Sequence, residues 1–110
     1  MSKYRNVPCQ RSGEHYRSKR EADRHQELQL MMFAGEISLL RREVGYELAP
    51  SVKFSGSKRA TPALRYVADF VYLDRDRRVI VEDCKGFRTQ VYLIKRHLMK
   101  TVHGIEVLET

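Results

Sequence analysis

Little in this chain points to a stapled, membrane-bound or nucleotide-driven protein. It has two cysteines, Cys9 and Cys84, which fit neither a disulfide framework nor a zinc spacing. The expectation is an intracellular chain with reduced thiols. The first twenty residues hold no apolar run, so no signal-peptide pattern is expected. No stretch is long enough to span a bilayer, so no membrane partner is expected. There is no glycine-rich Walker loop, and ATP use is not indicated. The histidines, His15, His25, His97 and His103, make neither a His-Asn-His pattern nor a His-x-x-x-His zinc pair. No serine or cysteine has a convincing base partner. Aromatic arrays suited to single-stranded RNA, internal repeats and low-complexity segments are absent too.

Basic charge is what the chain has. Its 110 residues carry a formal net charge of +7, enough chain for one compact domain and enough charge to favour a polyanionic partner. Arg17, Lys19 and Arg20 form one cluster, Lys58 and Arg59 a second, and Lys95, Arg96 and Lys100 a third. A solvated basic surface explains the same charges, and charge alone does not choose between the two.

Residues 1–16 are polar and aperiodic and read as a basic arm; residues 17–110 read as a single domain. Ser18 and Glu21 make a capping-box pattern for a helix that ends at Gly35. Glu21, His25, Leu28 and Met32 form its inward stripe. A short turn with Ile37, Leu39 and Leu40 follows, then weaker strand patterns over 44–48 and 52–54. A loop over 55–62 leads to a strand over 64–73. Alternation puts Val67, Asp69, Val71 and Leu73 on one face of it, and Tyr66, Ala68, Phe70 and Tyr72 on the other. A turn over 74–77 returns the chain as a hairpin partner over 78–85. A second helix over 90–102 has the stripe Val91, Ile94, Leu98 and Val102 and stops at Gly104. A last strand over 105–108 makes a parallel crossover. The fold class is therefore α/β, a central mixed sheet flanked by helices.

Asp69 and Asp83 stand inside segments otherwise built of β-formers. Alternation puts Asp83 and Lys85 on one face, and Glu82 and Cys84 on the other. In a hairpin, Asp69 comes beside Asp83. Two close carboxylates repel, and a divalent cation relieves the repulsion. Mg²⁺ suits oxygen ligands and bridges to phosphate. Such an ion would acidify a water and so generate a nucleophile. Lys85 would orient that water or offset charge on the phosphate. A turn cap or arginine pair at Asp69, and a surface salt bridge between Asp83 and Lys85, are the plain alternatives. Glu82, on the far face, is expected to pair with a basic residue of the packing helix or of an edge, and Cys84 to be a small core residue. Lys95 and Arg96 read as a solvated helix face or as phosphate contacts, and Tyr92 as core.

The residues Asp69 and Asp83-Cys84-Lys85, with thirteen residues between the aspartates, resemble the motif of the PD-(D/E)XK nuclease superfamily. The family's usual proline before the first aspartate is Ala68 here. More narrowly, Ser18 to Glu21, Tyr66 to Phe70 and Glu82 to Gly86 resemble a group of small phage and prophage proteins in that superfamily. The resemblance covers about residues 18–108. It implies a restriction-endonuclease-like core and a Mg²⁺-dependent DNA endonuclease, with Mn²⁺ as a substitute. Asp69, Asp83, Glu21 and the Cys84 backbone carbonyl would hold the metal, and Lys85 would act in catalysis. For Glu21 the capping box is a sufficient alternative. Arg17, Lys19, Arg20, Lys58, Arg59, Lys95 and Arg96 would bind DNA. A homodimer, phage replication or recombination partners and the cytoplasm of a bacterial host follow from the same resemblance. A branched DNA, a nick, a flap and a specific duplex site are equally open as substrates. The rival reading is a noncatalytic DNA-binding or recombination-accessory protein, and a third is an RNA-processing nuclease.

Overall fold

The computed structural model of the protein describes residues 7–110. A hairpin of β1 (Cys9–Arg11) and β2 (Glu14–Tyr16) comes first. The N-terminal arm expected through residue 16 is thus a paired ribbon over its second half; its residues 1–6 lie outside the described residues. Then follow α1 (Lys19–Phe33), β3 (Ser38–Ala49), β4 (Leu64–Leu73), β5 (Val79–Asp83), α2 (Gln90–His103) and β6 (Leu108–Glu109). The sheet order is β3-β4-β5-β6, with the first three strands antiparallel and β6 parallel to β5. The class is α/β, with a mixed four-stranded sheet and two helices.

Both helices start where capping chemistry puts them. Ser18 Oγ accepts from the Glu21 N–H at 3.2 Å, and Thr89 Oγ1 from the Tyr92 N–H at 3.1 Å. Gly104 closes α2 in the left-handed region, φ 69°. In the hairpin turn, Asp74 Oδ1 accepts from the N–H groups of Asp76 and Arg78, both at 2.9 Å.

Two core clusters form, one under each helix. Leu28 of α1 packs with Ile37, Phe70 and Tyr72. Met99 and Tyr92 of α2 pack with Leu48, Tyr66, Ala68, Val71 and Val81. Several expectations give way here. Met32 is exposed, and α1 buries Glu21, Ala22, His25 and Leu28. On α2, Val91, Ile94 and Val102 are exposed, and Tyr92 and Met99 point inward. The helix is apolar on more than one side, so period alone did not select the face. Leu39 and Leu40 belong to a strand, β3, rather than a turn. The pattern over 52–54 reduces to one bridge, Val52 to Thr61. The last strand starts at Leu108, because the Ile105 N–H closes α2 on Met99 O at 3.1 Å.

Strict alternation also fails in β4. Phe70 and Tyr72 lie in the α1 cluster, whereas Tyr66 and Ala68 join Val71 in the α2 cluster. The change of face falls at Asp69. Opposite it, bracketed by the pairs Arg42–Phe70 and Val44–Ala68, Glu43 takes a left-handed conformation with φ 51°. That conformation is uncommon for a residue with a Cβ and breaks the pleat, much as a bulged residue does.

Candidate active site

The break in β4 delivers Tyr66 to the second aspartate. The β4–β5 register pairs Phe70 with Glu82, and one step further puts Asp69 opposite Asp83. Both are almost wholly buried, at 2 % and 1 % exposure. Cys84 N–H donates to Asp69 Oδ2 at 2.8 Å, tying the end of β5 to the first aspartate. Tyr66 O–H donates to Asp83 Oδ2 at 2.5 Å. Burial first, and this bond second, push the Tyr66 hydroxyl well above its usual pKa, so it stays a donor.

Asp83 Oδ1 is the unusual atom. It is buried and, among the described residues, has no hydrogen-bond partner. Lys85 Nζ stands 3.2 Å away, within ion-pair reach but outside hydrogen-bond geometry. The ammonium also rests 4.4 Å from the centre of the Tyr92 ring, a cation–π contact. Tyr92 is held in turn, its hydroxyl donating to Glu109 Oε2 at 2.6 Å. Burial, then that bond, push the Tyr92 hydroxyl up.

Glu21 reaches the aspartates only through an arginine. Arg17 donates to Asp69 Oδ1 and, at 3.4 Å, to Glu21 Oε2. Arg42 donates to Glu21 Oε1 at 3.2 Å and to Glu14 Oε1 at 2.8 Å. Burial opposes the Arg42 charge, but the bonds to Glu21 and Glu14 outweigh it and raise its pKa. The Glu21 carboxylate is therefore occupied by arginines. Among the described residues, no three His, Cys, Asp or Glu side chains group as a metal site.

A cleft of about 290 Å³ opens beside Asp83. Arg17, Arg65, Lys85 and Lys95 bring four cations to it, with Tyr66 and Tyr92 among its walls. Of the basic residues expected to meet DNA, Arg17 and Lys95 lie there. Lys58 and Arg59 are exposed on the β3–β4 loop. Arg20 Nη1 sits 3.4 Å from the Lys85 carbonyl. Lys19 pairs with Asp23 at 3.3 Å and Arg96 with Glu109 at 3.0 Å, so both are engaged within the fold.

Residue type and strand spacing pointed to Asp69, Asp83 and Lys85 but missed Tyr66, Arg42 and Arg65. Strict alternation puts Tyr66 on the face away from Asp69, whereas the structure sets its hydroxyl against Asp83. Arg42 offered a signal, a charged residue aligned with Leu40 and Val44 on the inward side of an amphipathic strand. Arg65 lies across β3 above Gly45, where any Cβ would collide with its guanidinium.

On the sheet's other face, Glu82 is fully buried. Arg24 of α1 grips it from Nε at 2.5 Å and Nη2 at 3.1 Å, and Tyr72 donates to it at 2.5 Å. The hydrogen bond to Glu82 is the largest influence raising the Arg24 pKa. Cys84 packs nearby against the Leu28 cluster, and burial pushes its thiol up. His25 stacks on Phe70 with 5.5 Å between ring centres and pairs with the Tyr16 hydroxyl at 2.6 Å.

Among the described residues, no helix is long and apolar enough to cross a membrane. Comparison with curated proteins finds no match, and neither does comparison with solved structures. One family model does match, over residues 1–106, and the chain therefore belongs to the family described as "Protein of unknown function (DUF1064)".

Proposed function

We propose that this protein is a metal-dependent endonuclease that hydrolyses DNA phosphodiester bonds, with a fold akin to the PD-(D/E)XK nucleases. The observation that carries the reading is the Asp83 carboxylate. One oxygen is fixed by Tyr66, and the other is buried without a hydrogen bond beside Lys85, at a cleft lined by cations. An orphaned buried acceptor is costly in a native fold unless a partner arrives. The donor set, two opposed carboxylates, suits Mg²⁺ or Mn²⁺. Asp69 and Asp83 would hold the ion, with the Cys84 carbonyl between Asp83 and Lys85 as a further oxygen. Glu21 would join them only if Arg17 and Arg42 released it. When bound, such an ion supplies Lewis-acid polarisation of a phosphoryl oxygen and a more acidic water.

The chain's own residues do the rest. Arg17, Arg65, Lys85 and Lys95 attract and position the phosphodiester. Lys85, held over Tyr92, offsets charge that develops on the phosphate. Tyr66 keeps Asp83 in one orientation. The rival reading, a noncatalytic DNA-binding module, draws support from Arg17, whose guanidinium occupies both Asp69 and Glu21.

The test is cleavage of duplex, single-stranded, flap and four-way DNA, with matched RNA, in Mg²⁺, Mn²⁺ or EDTA. Wild type is expected to cut with metal and not in EDTA. Asp83→Asn and Lys85→Ala should lose at least about a hundredfold in rate, the usual scale for removing a charge-stabilising group. Cutting in EDTA, or variants as active as wild type, would sink the mechanism. Asp83→Ala that binds DNA and retains full biological function would favour the noncatalytic module.

A further inference from the structure

The β3–β4 ribbon outruns the sheet. β5 pairs with β4 only from Phe70 to Leu73, whereas β3 stays paired with β4 back to Leu64. Beyond Ala49 and Leu64 the ribbon ends in an ordered tip. Val52 and Thr61 exchange backbone hydrogen bonds at 3.1 and 2.6 Å, and the Ser57 N–H closes a turn on Phe54 O at 3.1 Å. Gly56 supplies the positive φ of that turn, 81°. Phe54 stands at its start, 63 % exposed.

The charge of the distal part of this arm is one-sided, the nearest acid being Glu47, cross-strand from Arg65. From Leu48 to Ala68 there is no aspartate or glutamate, while Lys53, Lys58, Arg59 and Arg65 all fall there. Arg65 carries the track onward, because it lines the cleft beside Asp83 and Lys85. Gly45, with no side chain, leaves Arg65 room to lie across β3. The five-residue step from Asp69 to Leu64 spans about 17 Å at strand rise, about five base pairs of duplex. A single exposed phenylalanine is unremarkable by itself. One placed at an acid-free tip, on an arm that leads into a cationic cleft, has a matching ligand chemistry, phosphates flanking an aromatic base.

We propose that this arm is a DNA-reading element in which Lys53, Lys58, Arg59 and Arg65 hold the backbone and Phe54 stacks on a base at an unstacked step. Branches, nicks and mismatches offer such a step, and intact duplex does not. The inference rests on the DNA reading above and gives it a substrate preference. Aromatic stacking and apolar wedges are the general means of engaging exposed base faces.

The experiment measures binding in EDTA by anisotropy, using a four-way junction and an intact duplex, with 2-aminopurine at the branch. Phe54→Ala is expected to bind the junction about tenfold more weakly. It should bind intact duplex within twofold of wild type and keep the wild-type salt slope. Phe54→Trp should retain junction binding. Lys58→Ala with Arg59→Ala should lower the salt slope by about two units. Wild-type melting temperature for Phe54→Ala would separate lost stacking from lost folding. Phe54→Ala binding the junction as wild type does, unchanged 2-aminopurine fluorescence on binding, or preference for matched RNA would overturn the proposal. The same samples then receive Mg²⁺. A Phe54 effect without wild-type cutting overturns the nuclease reading and supports this one; cutting without a Phe54 effect does the reverse.

Discussion

Tyr66→Phe removes one hydroxyl and leaves the ring in place. Among the described residues that hydroxyl is the only hydrogen-bond donor to the Asp83 carboxylate, because Oδ1 has none. Hydrogen bonds to charged groups contribute about 1.5–3 kcal/mol. In a domain of this size about 1 kcal/mol moves the melting temperature by about 4–8 °C, so Tyr66→Phe should melt about 10 °C lower. The assay is thermal unfolding by circular dichroism in EDTA, where no metal compensates. The decisive arm is the same substitution on an Asp83→Ala background. There the Tyr66 hydroxyl is buried without its acceptor, and removing it should be neutral or stabilising. Partners in direct contact couple by about 0.5–3 kcal/mol in such cycles. An equal loss of stability on both backgrounds would refute the reasoning, and so would a Tyr66→Phe protein that melts with wild type.

Arg24→Ala should destabilise by about 3–5 kcal/mol, because Glu82 is fully buried and would lose its counter-charge; urea titration measures it, and a loss under about 1 kcal/mol would contradict the pairing. The face of α2 is tested by contrast. Met99→Ala should cost about 2–5 kcal/mol and Val91→Ala less than about 0.5 kcal/mol, and equal costs would restore the face that period alone suggested. His25 supplies a pH signature. Burial is the largest cause lowering its pKa from 6.5, and Arg42 adds to it. A depressed folded value means that the unfolded chain takes up the proton first as pH falls. The contribution of His25 is therefore present above pH 6.5 and lost as pH falls through the folded value. Melting temperatures between pH 7.5 and 5.5 should fall less for His25→Phe than for wild type, and parallel profiles would refute this.

Much of the candidate site was legible because β5 keeps strict alternation. Asp83 faces Tyr66 and the α2 side, and Glu82 faces Arg24 and α1, as a two-residue period requires. The pairing of Glu82 with a basic residue of the packing helix followed from the same period. Tyr66 was not legible. Its place depends on a left-handed residue in the neighbouring strand, and no pattern within β4 reports what Glu43 does across the sheet. The partners of the Glu21 carboxylate were not legible for a related reason. Its backbone N–H donates to the Ser18 cap as the local pattern says, but its side chain turns to Arg17 and to Arg42, twenty-one residues away.

The element order from α1 onward, both helix caps and the facing of Asp83 and Lys85 follow from the chain alone. These depend on nearest-neighbour geometry and on the period of the chain. Tertiary packing decided which face of α2 is buried, where Tyr66 points, which arginines hold Glu21, and that Asp83 Oδ1 has no hydrogen-bond partner among the described residues. Each of these is set by packing between segments far apart in the chain, where burial and partner choice outweigh local period.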